Sequence, residues 1–267
     1  MPNLIGPDVS FYQDDNATER MIDFAKMESN AGFVIIRSGQ NLWADPDFKL
    51  NWQAAKGVLP RGSYWFYDSR AEPKRQADLW VSLFEGDLGE LPLFCDFEDN
   101  YDGQYGRWQD WYDFIESLKS LLPASKEIGI YTAYYYWLER TVVKGIPAAS
   151  LEYFKQYPLW IANYKVDKPL VPKPWTDLPP ARAMAGEVQA GWTFWQYTDK
   201  GDGSLYGVES KNIDLNYFNG DMDAFRTRFQ LTPKPAALPV EIDKIDFKFL
   251  VVYMESGEQI TFVKRGE

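Results

Sequence analysis

The chain of 267 residues contains no histidine and only one cysteine. Without an imidazole there is no Ser-His-Asp or Cys-His nucleophile system, no His-ligated zinc and no imidazole general base. A single cysteine excludes an intrachain disulfide and a thiolate metal cluster. Acid–base chemistry is left to carboxylates, Lys and Tyr. Positive charge is also scarce, with 28 Lys and Arg against 39 Asp and Glu, a formal net charge of −11. That balance argues against nucleic acid, whose binding depends on cations that neutralise phosphates. It also argues against long-range attraction to anionic surfaces such as membranes. No segment reaches the roughly 18 consecutive apolar residues of a membrane span. The opening Met1–Asp8 has neither the basic region nor the apolar core of a cleavable leader.

Aromatic residues, in contrast, are abundant: 11 Trp, 17 Tyr and 17 Phe. Two readings fit this, a large aromatic core and a carbohydrate cleft in which flat rings stack on sugar faces. Short apolar runs alternate with longer helical patterns. Strands are expected at Leu4–Ser10, Gly32–Ser38, Arg61–Tyr67, Leu91–Glu98, Ile128–Thr132, Leu159–Asn163, Trp192–Tyr197 and Asn212–Leu215. Helices are expected from Thr18, from Asp45 to Lys56 with Asp45 as cap, from Pro73 to about Phe84, and over Tyr105–Leu122, Tyr134–Lys144 and Asp221–Phe229. Eight strands with helices between most of the first five imply an α/β chain of parallel strands closed into a (β/α) barrel. The open doubly wound sheet is the alternative, but no G-x-G-x-x-G turn follows the first strand. Residues 1–230 are read as the barrel. Lys165–Gly191 departs from the rhythm with five prolines. Residues 231–239, with three prolines in nine, read as a semi-rigid linker. Residues 240–267 carry a hairpin pattern, Ile245–Met254 and Gln259–Val263, of unassigned role.

The chemistry concentrates at Leu91-Pro-Leu-Phe-Cys-Asp-Phe-Glu98. Side chains alternate along a strand, so Asp96 and Glu98 share a face with Phe94 below them, while Cys95 and Phe97 face the helices. The C-terminal ends of parallel barrel strands form the active site. Asp8 ends the first strand, with Ser10, on the inward side of Val9. Asp214 sits between Ile213 and Leu215 in the last strand, the neighbour of the first in a closed barrel. Four acids at one mouth raise the pKa of at least one, and a carboxyl held protonated near neutrality is what glycosidic cleavage needs. The plainer reading is that Asp96 and Glu98 only begin an acidic loop. Four carboxylates also suit a hard cation, but no D-x-D-x-D-G loop is present and no metal or cofactor is expected.

In order along the chain, Asp8-Val-Ser-Phe-Tyr-Gln13, Phe33-Val-Ile-Ile-Arg37-Ser-Gly39, Gly62-Ser-Tyr64-Trp65-Phe66, Asp96-Phe-Glu98, Ile130-Tyr131-Thr132, Leu159-Trp160-Ile-Ala162-Asn163-Tyr164, Trp195-Gln196-Tyr197 and Ile213-Asp214-Leu215-Asn216 resemble the motif blocks of glycoside hydrolase family 25 lysozymes. The resemblance covers roughly residues 4–229 and extends to phage endolysins. It implies a TIM-like barrel with an irregular second half, acting on peptidoglycan glycan strands at the β-1,4 bond between N-acetylmuramic acid and N-acetylglucosamine. By the same resemblance Glu98 is the general acid/base. Asp96 stabilises positive charge or orients the N-acetyl group. Asp8 and Asp214 are supporting acids, and Tyr64, Tyr131, Tyr164 and Trp195 line the cleft. Trp65 stands where the family often has His; facing the helices, it alters packing more than chemistry. With no leader seen, the expectation is a protein that stays cytoplasmic until lysis or a holin-type route releases it to the wall.

Arg37 is read as the partner of a mouth carboxylate, Cys95 as an inert buried thiol, and Tyr134-Tyr135-Tyr136-Trp137 as helix packing. Two other functions remain open: a different barrel glycosidase of the chitinase kind, and a non-catalytic sugar-binding barrel.

Overall fold

The computed structural model describes residues 3–14, 21–100, 107–177, 191–232, 249–253 and 259–263. The chain divides into one unit over Met1–Leu231 and another over Thr232–Glu267. In the first, strands β1 (Ile5–Val9), β2 (Val34–Gln40), β4 (Arg61–Phe66), β5 (Leu93–Asp96), β6 (Ile128–Ala133), β7 (Leu159–Ala162), β8 (Phe194–Asp202) and β9 (Asn212–Phe218) follow one another around a closed barrel. The pairing of β1 with both β2 and β9 closes the ring. A two-residue strand β3 (Trp43–Ala44) folds back on the end of β2.

The helices are α1 (Phe24–Glu28), α2 (Phe48–Ala55), α3 (Pro73–Ser82), α4 (Trp108–Leu121), α5 (Tyr134–Leu138), α6 (Ala148–Glu152) and α7 (Met222–Phe229). Their sequence logic is visible in α4, where Trp111, Phe114, Ile115 and Leu118 recur at helical spacing and are the buried positions. Pro73 occupies the first turn of α3, where a missing N–H costs nothing. The Asp221 carboxylate accepts from the Ala224 N–H at 2.9 Å and starts α7.

Several expectations are corrected. The last strand is not parallel: β9 runs antiparallel to β8 and to β1. Only residues 203–211 link β8 to β9, too few for a crossover helix, and a short link joins antiparallel strands. Asp23, not Thr18, caps α1; Thr18 lies outside the described residues. Asp45 does not cap α2, which starts at Phe48; its carboxylate accepts from the Phe11 N–H (3.2 Å) and the Asp47 N–H (3.0 Å) instead. The helix expected over 134–144 stops at Leu138 and continues as a π-helical turn, Glu139–Val143. β5 ends at Asp96, so Glu98 stands just past the strand. The irregular second half is present: α5 and α6 have five residues each, and the described residues 163–177 contain no helix.

Two apolar layers result. Cys95, Phe97, Trp65, Trp80, Trp111 and Trp137 pack between strands and helices. Phe33, Ile35, Phe94, Trp160, Phe194 and Phe218 fill the barrel, joined by Phe225 from α7. Gly129 makes room inside: a Cβ there would lie 2.4 Å from the Phe94 ring.

In the second unit, β10 (Phe249–Tyr253) and β11 (Gln259–Val263) pair antiparallel, with Phe249 opposite Val263. The rest of the expected hairpin and the linker residues 233–239 lie outside the described residues.

Gly129→Ala is expected to destabilise the barrel by about 1–3 kcal/mol, because Phe94 is locked among Trp160 and Phe194 and cannot retreat. Urea unfolding measures this, and an unchanged midpoint would show that the interior repacks freely.

Candidate active site

Every inward-facing strand end contributes to one pocket of about 90 Å³, lined by Asp8, Arg37, Tyr64, Phe66, Asp96, Glu98, Tyr131, Trp160, Gln196 and Asp214. Sheet register explains the gathering. Asp8 and Asp214 are direct cross-strand partners, and Asp96 lies beside Phe66 on one side and Tyr131 on the other. All four sequence-predicted acids therefore meet, together with Tyr64, Tyr131 and Arg37. Asp96 and Asp8 are deeply buried, at 2% and 6% exposure, whereas Glu98 and Asp214 are half-buried. One Asp96 oxygen, Oδ1, is buried without a hydrogen-bond partner.

The floor is aromatic. Trp160 meets Tyr131, Phe94 and Tyr64 edge-on at centroid distances of 4.4, 5.3 and 5.9 Å. Its indole N–H donates to Asn216 Oδ1 at 2.7 Å. Gln196 spans the pocket wall. Its Nε2 donates to Asp8 Oδ2 (2.9 Å) and Asp214 Oδ2 (3.4 Å). Its Oε1 accepts from the hydroxyls of Tyr131 (2.9 Å) and Tyr164 (2.5 Å). Asn216 Nδ2 donates to Asp8 Oδ2 as well, at 2.9 Å.

Taking four carboxylates out of water at one mouth disfavours their charged forms. Burial lifts Asp8 to about 6, against the pull of the Asn216 and Gln196 amides. Burial and then the Asp8 charge lift Glu98 to about 7. Asp214 rises to about 8 from burial and its neighbours Asp8, Asp199 and Glu98. Asp96 is raised by burial and by Glu98, with Arg37 opposing. Near neutral pH the cluster thus keeps some of its protons, as a carboxylic general acid requires.

Two predicted residues sit differently. Trp195 is not brought to the pocket. It falls on the outward side of β8, between inward Phe194 and Gln196, packs in the outer layer, and donates its indole N–H to Asn163 O at 2.8 Å. Arg37 does line the pocket, but its guanidinium donates to Gln40 Oε1, and it acts on Asp96 by charge. Tyr164 stands at the rim, 38% exposed. Trp65 is fully buried, with its indole on Gln76 Oε1 and its ring stacked on Trp80. Cys95 is buried and reduced. Sequence reasoning assigned no site role to Gln196, Asn216, Trp160 and Phe66. Alternation with Asp214 along the last strand was the signal that marks Asn216 as pocket-facing.

The chain is similar to known proteins. The Escherichia coli protein YegX is 26% identical over 239 residues, covering 85% of this chain and 75% of its own length. Lysozyme M1 of Streptomyces globisporus is 26% identical over 229 residues, covering 80% of this chain and 67% of its own. The solved bacterial lysozyme from Streptomyces coelicolor shares the fold with a TM-score of 0.63 at 23% identity, over 86% of this chain and 99% of that one. The family model described as Glycosyl hydrolases family 25 matches residues 7–205, from the strand that bears Asp8 to the turn after the strand that bears Gln196. The chain belongs to glycosyl hydrolase family 25 and is a glycosidase.

Proposed function

We propose that this protein is a peptidoglycan hydrolase that cleaves the β-1,4 bond between N-acetylmuramic acid and N-acetylglucosamine. The observation that carries the reading is the pairing of half-buried Glu98 with deeply buried Asp96, whose Oδ1 has no partner, in the lining of a pocket sized for part of one sugar. Lysozyme M1 and the Streptomyces coelicolor lysozyme support the substrate class by their names.

Glu98 donates its proton to the glycosidic oxygen, and the bond from C1 to the leaving sugar's O4 breaks. The acetamido oxygen of the retained sugar closes on C1 and takes up the positive charge. Asp96 accepts the acetamido N–H with its orphan oxygen. That hydrogen bond favours the ionised form of Asp96, whose charge in turn favours the proton on Glu98. Glu98, now a carboxylate, then removes a proton from the water that attacks C1, and the acetamide is restored. Asp8 supplies the negative field around these steps, with Asp214 beside it lifted to about 8. Tyr64, Tyr131 and Tyr164, with Trp160 beneath, shape the wall against the sugar.

A pocket this small holds only part of the reacting sugar, so the rest of the glycan lies across the barrel mouth. The rim over β1 and β2 offers rings for it. Tyr12 is 66% and Trp43 43% exposed. Phe11 contacts both, and the Arg37 guanidinium lies 5.8 Å from the Phe11 ring and 5.6 Å from the Trp43 ring. This rim is continuous with the pocket through Arg37.

Three outcomes are expected. Glu98→Gln, folded as judged by circular dichroism, lowers turnover of purified peptidoglycan by at least about 100-fold; retained clearing removes Glu98 from its role. New reducing ends released by the wild type carry muramic acid, whereas glucosamine there points to a glucosaminidase. Tyr12→Ala raises KM on polymeric glycan by about 2- to 10-fold with little change in kcat, the loss of one stacked ring; an unchanged KM removes the rim from the substrate path.

Stability follows the same protons. A carboxyl whose folded pKa lies above its unfolded value stabilises the fold while it is protonated. That contribution is complete below about pH 4 and is lost as pH rises through the folded values of about 6 to 8. Calorimetry is expected to show Tm falling from pH 5 to pH 8.5, with a smaller fall in Asp214→Asn. A Tm that climbs over that range contradicts the crowding of these acids.

A further inference from the structure

The four acids are not equivalent in their partners. Asp8 Oδ2 receives two amide N–H groups, one from Gln196 and one from Asn216, each at 2.9 Å. Neither amide is free to turn round: a flipped Gln196 would set its Oε1 against the acid oxygens of Asp8 and Asp214. The Asn216 carbonyl oxygen faces the Trp160 indole N–H, which can only donate, and its N–H side also reaches Gly6 O at 3.1 Å. The Gln196 carbonyl oxygen takes the hydroxyls of Tyr131 and Tyr164 together. Both amides therefore present donors, and only donors, to one oxygen of Asp8. Asp96 and Asp214 have nothing comparable: Asp96 Oδ1 is orphaned, and Asp214 has a single long contact to Gln196 at 3.4 Å.

Resting on the reading of Glu98 as the general acid, we propose that Gln196 and Asn216 are positioning residues whose amides hold Asp8 as the standing anion of the cluster, and that the charge on Asp8 keeps the catalytic proton on Glu98. Two hydrogen bonds donated to a buried carboxylate favour its charged form. Asp8's charge in turn disfavours a second charge on Glu98, Asp96 and Asp214, each of which responds to it. The groups that face Asp8 from the surrounding strands are Arg37 on β2, Tyr64 on β4, Asp96 and Glu98 at the end of β5, Tyr131 on β6, Tyr164 after β7 and Asp214 on β9. Of these only Arg37 is a cation, and it lies toward Asp96. The amide pair thus does what a second cation does in other acidic sites, without neutralising the charge that Glu98 feels.

The test is the pH dependence of the wild type, Gln196→Leu and Asn216→Leu. Loss of either donor makes Asp8 easier to protonate and Glu98 easier to deprotonate. The bell-shaped profile of kcat/KM on soluble glycan fragments is expected to narrow from both sides, each limb moving inward by about half to one pH unit. Carbon-13 NMR titration of the Glu98 carboxyl reads the same change without activity, and its midpoint is expected to fall by a similar amount in either variant. Asp8→Asn is expected to lower that midpoint as well, and Gln196→Leu added to it to produce no further movement. A profile that only drops in height, or a Glu98 midpoint that stays put in whichever amide variant folds, overturns the proposal. If the wild type releases no sugar while the NMR midpoints still move as stated, the glycosidase mechanism fails and the amide control of Asp8 stands.

Discussion

Desolvation of carboxylates above an apolar barrel is the constraint on which the site depends. Phe94, Trp160, Phe194 and Phe33 fill the interior and exclude water from below. Asp8 and Asp96 sit directly on that layer and are almost without solvent. An acid placed there resists ionisation, and four placed together resist it collectively. The fold thus produces a reservoir of bound protons at a pH where isolated carboxylates have none. A histidine would be the ordinary source of such a proton. This chain has none, and the packing of rings under the acids makes up for it.

The cost of that arrangement is met by local hydrogen bonding rather than by cations. The buried arginine at the mouth, Arg37, is held by Gln40 and lies against Phe11 and Trp43. The stabilising partners of Asp8 are two neutral amides and, beyond them, two phenols and an indole. A neutral donor favours a carboxylate without cancelling its field. The field of Asp8 therefore survives to act on Glu98 across the same mouth. A direct ion pair at the same place would have removed it.

Much of this was legible in the sequence because strand parity is a strict rule. Asp96 and Glu98 on one side of Phe97, Asp8 inward of Val9, and Asp214 between Ile213 and Leu215 all follow from alternation, and the structure places them so. The antiparallel last strand was not legible: Asp214 faces inward in either direction, so its own pattern does not report strand polarity, and only the short link over 203–211 does. Trp195 shows the opposite failure. The family resemblance implied that it lines the cleft, yet parity with Phe194 and Gln196 sends it outward. Gln196 carried no titratable group and drew no attention, although it is the residue that joins two acids and two tyrosines. Long-range hydrogen bonds of this kind, 188 residues apart for Gln196 and Asp8, leave no trace in local pattern.

The negative charge of the chain fits the same logic. An anionic wall repels a protein of net charge −11 at distances beyond the screening length, but at roughly 8–10 Å in physiological salt that repulsion has largely faded. On the proposed reading, recognition then falls to contacts that need no charge: the exposed rings of Tyr12 and Trp43 and the phenols of Tyr64, Tyr131 and Tyr164. Sugar faces are neutral and present C–H groups to such rings, so an aromatic rim loses nothing to the charge of the protein that carries it. The acidic pocket and the aromatic mouth are therefore complementary parts of one solution. On the proposed reading, the rings hold a neutral glycan close and the buried acids keep the proton that breaks it.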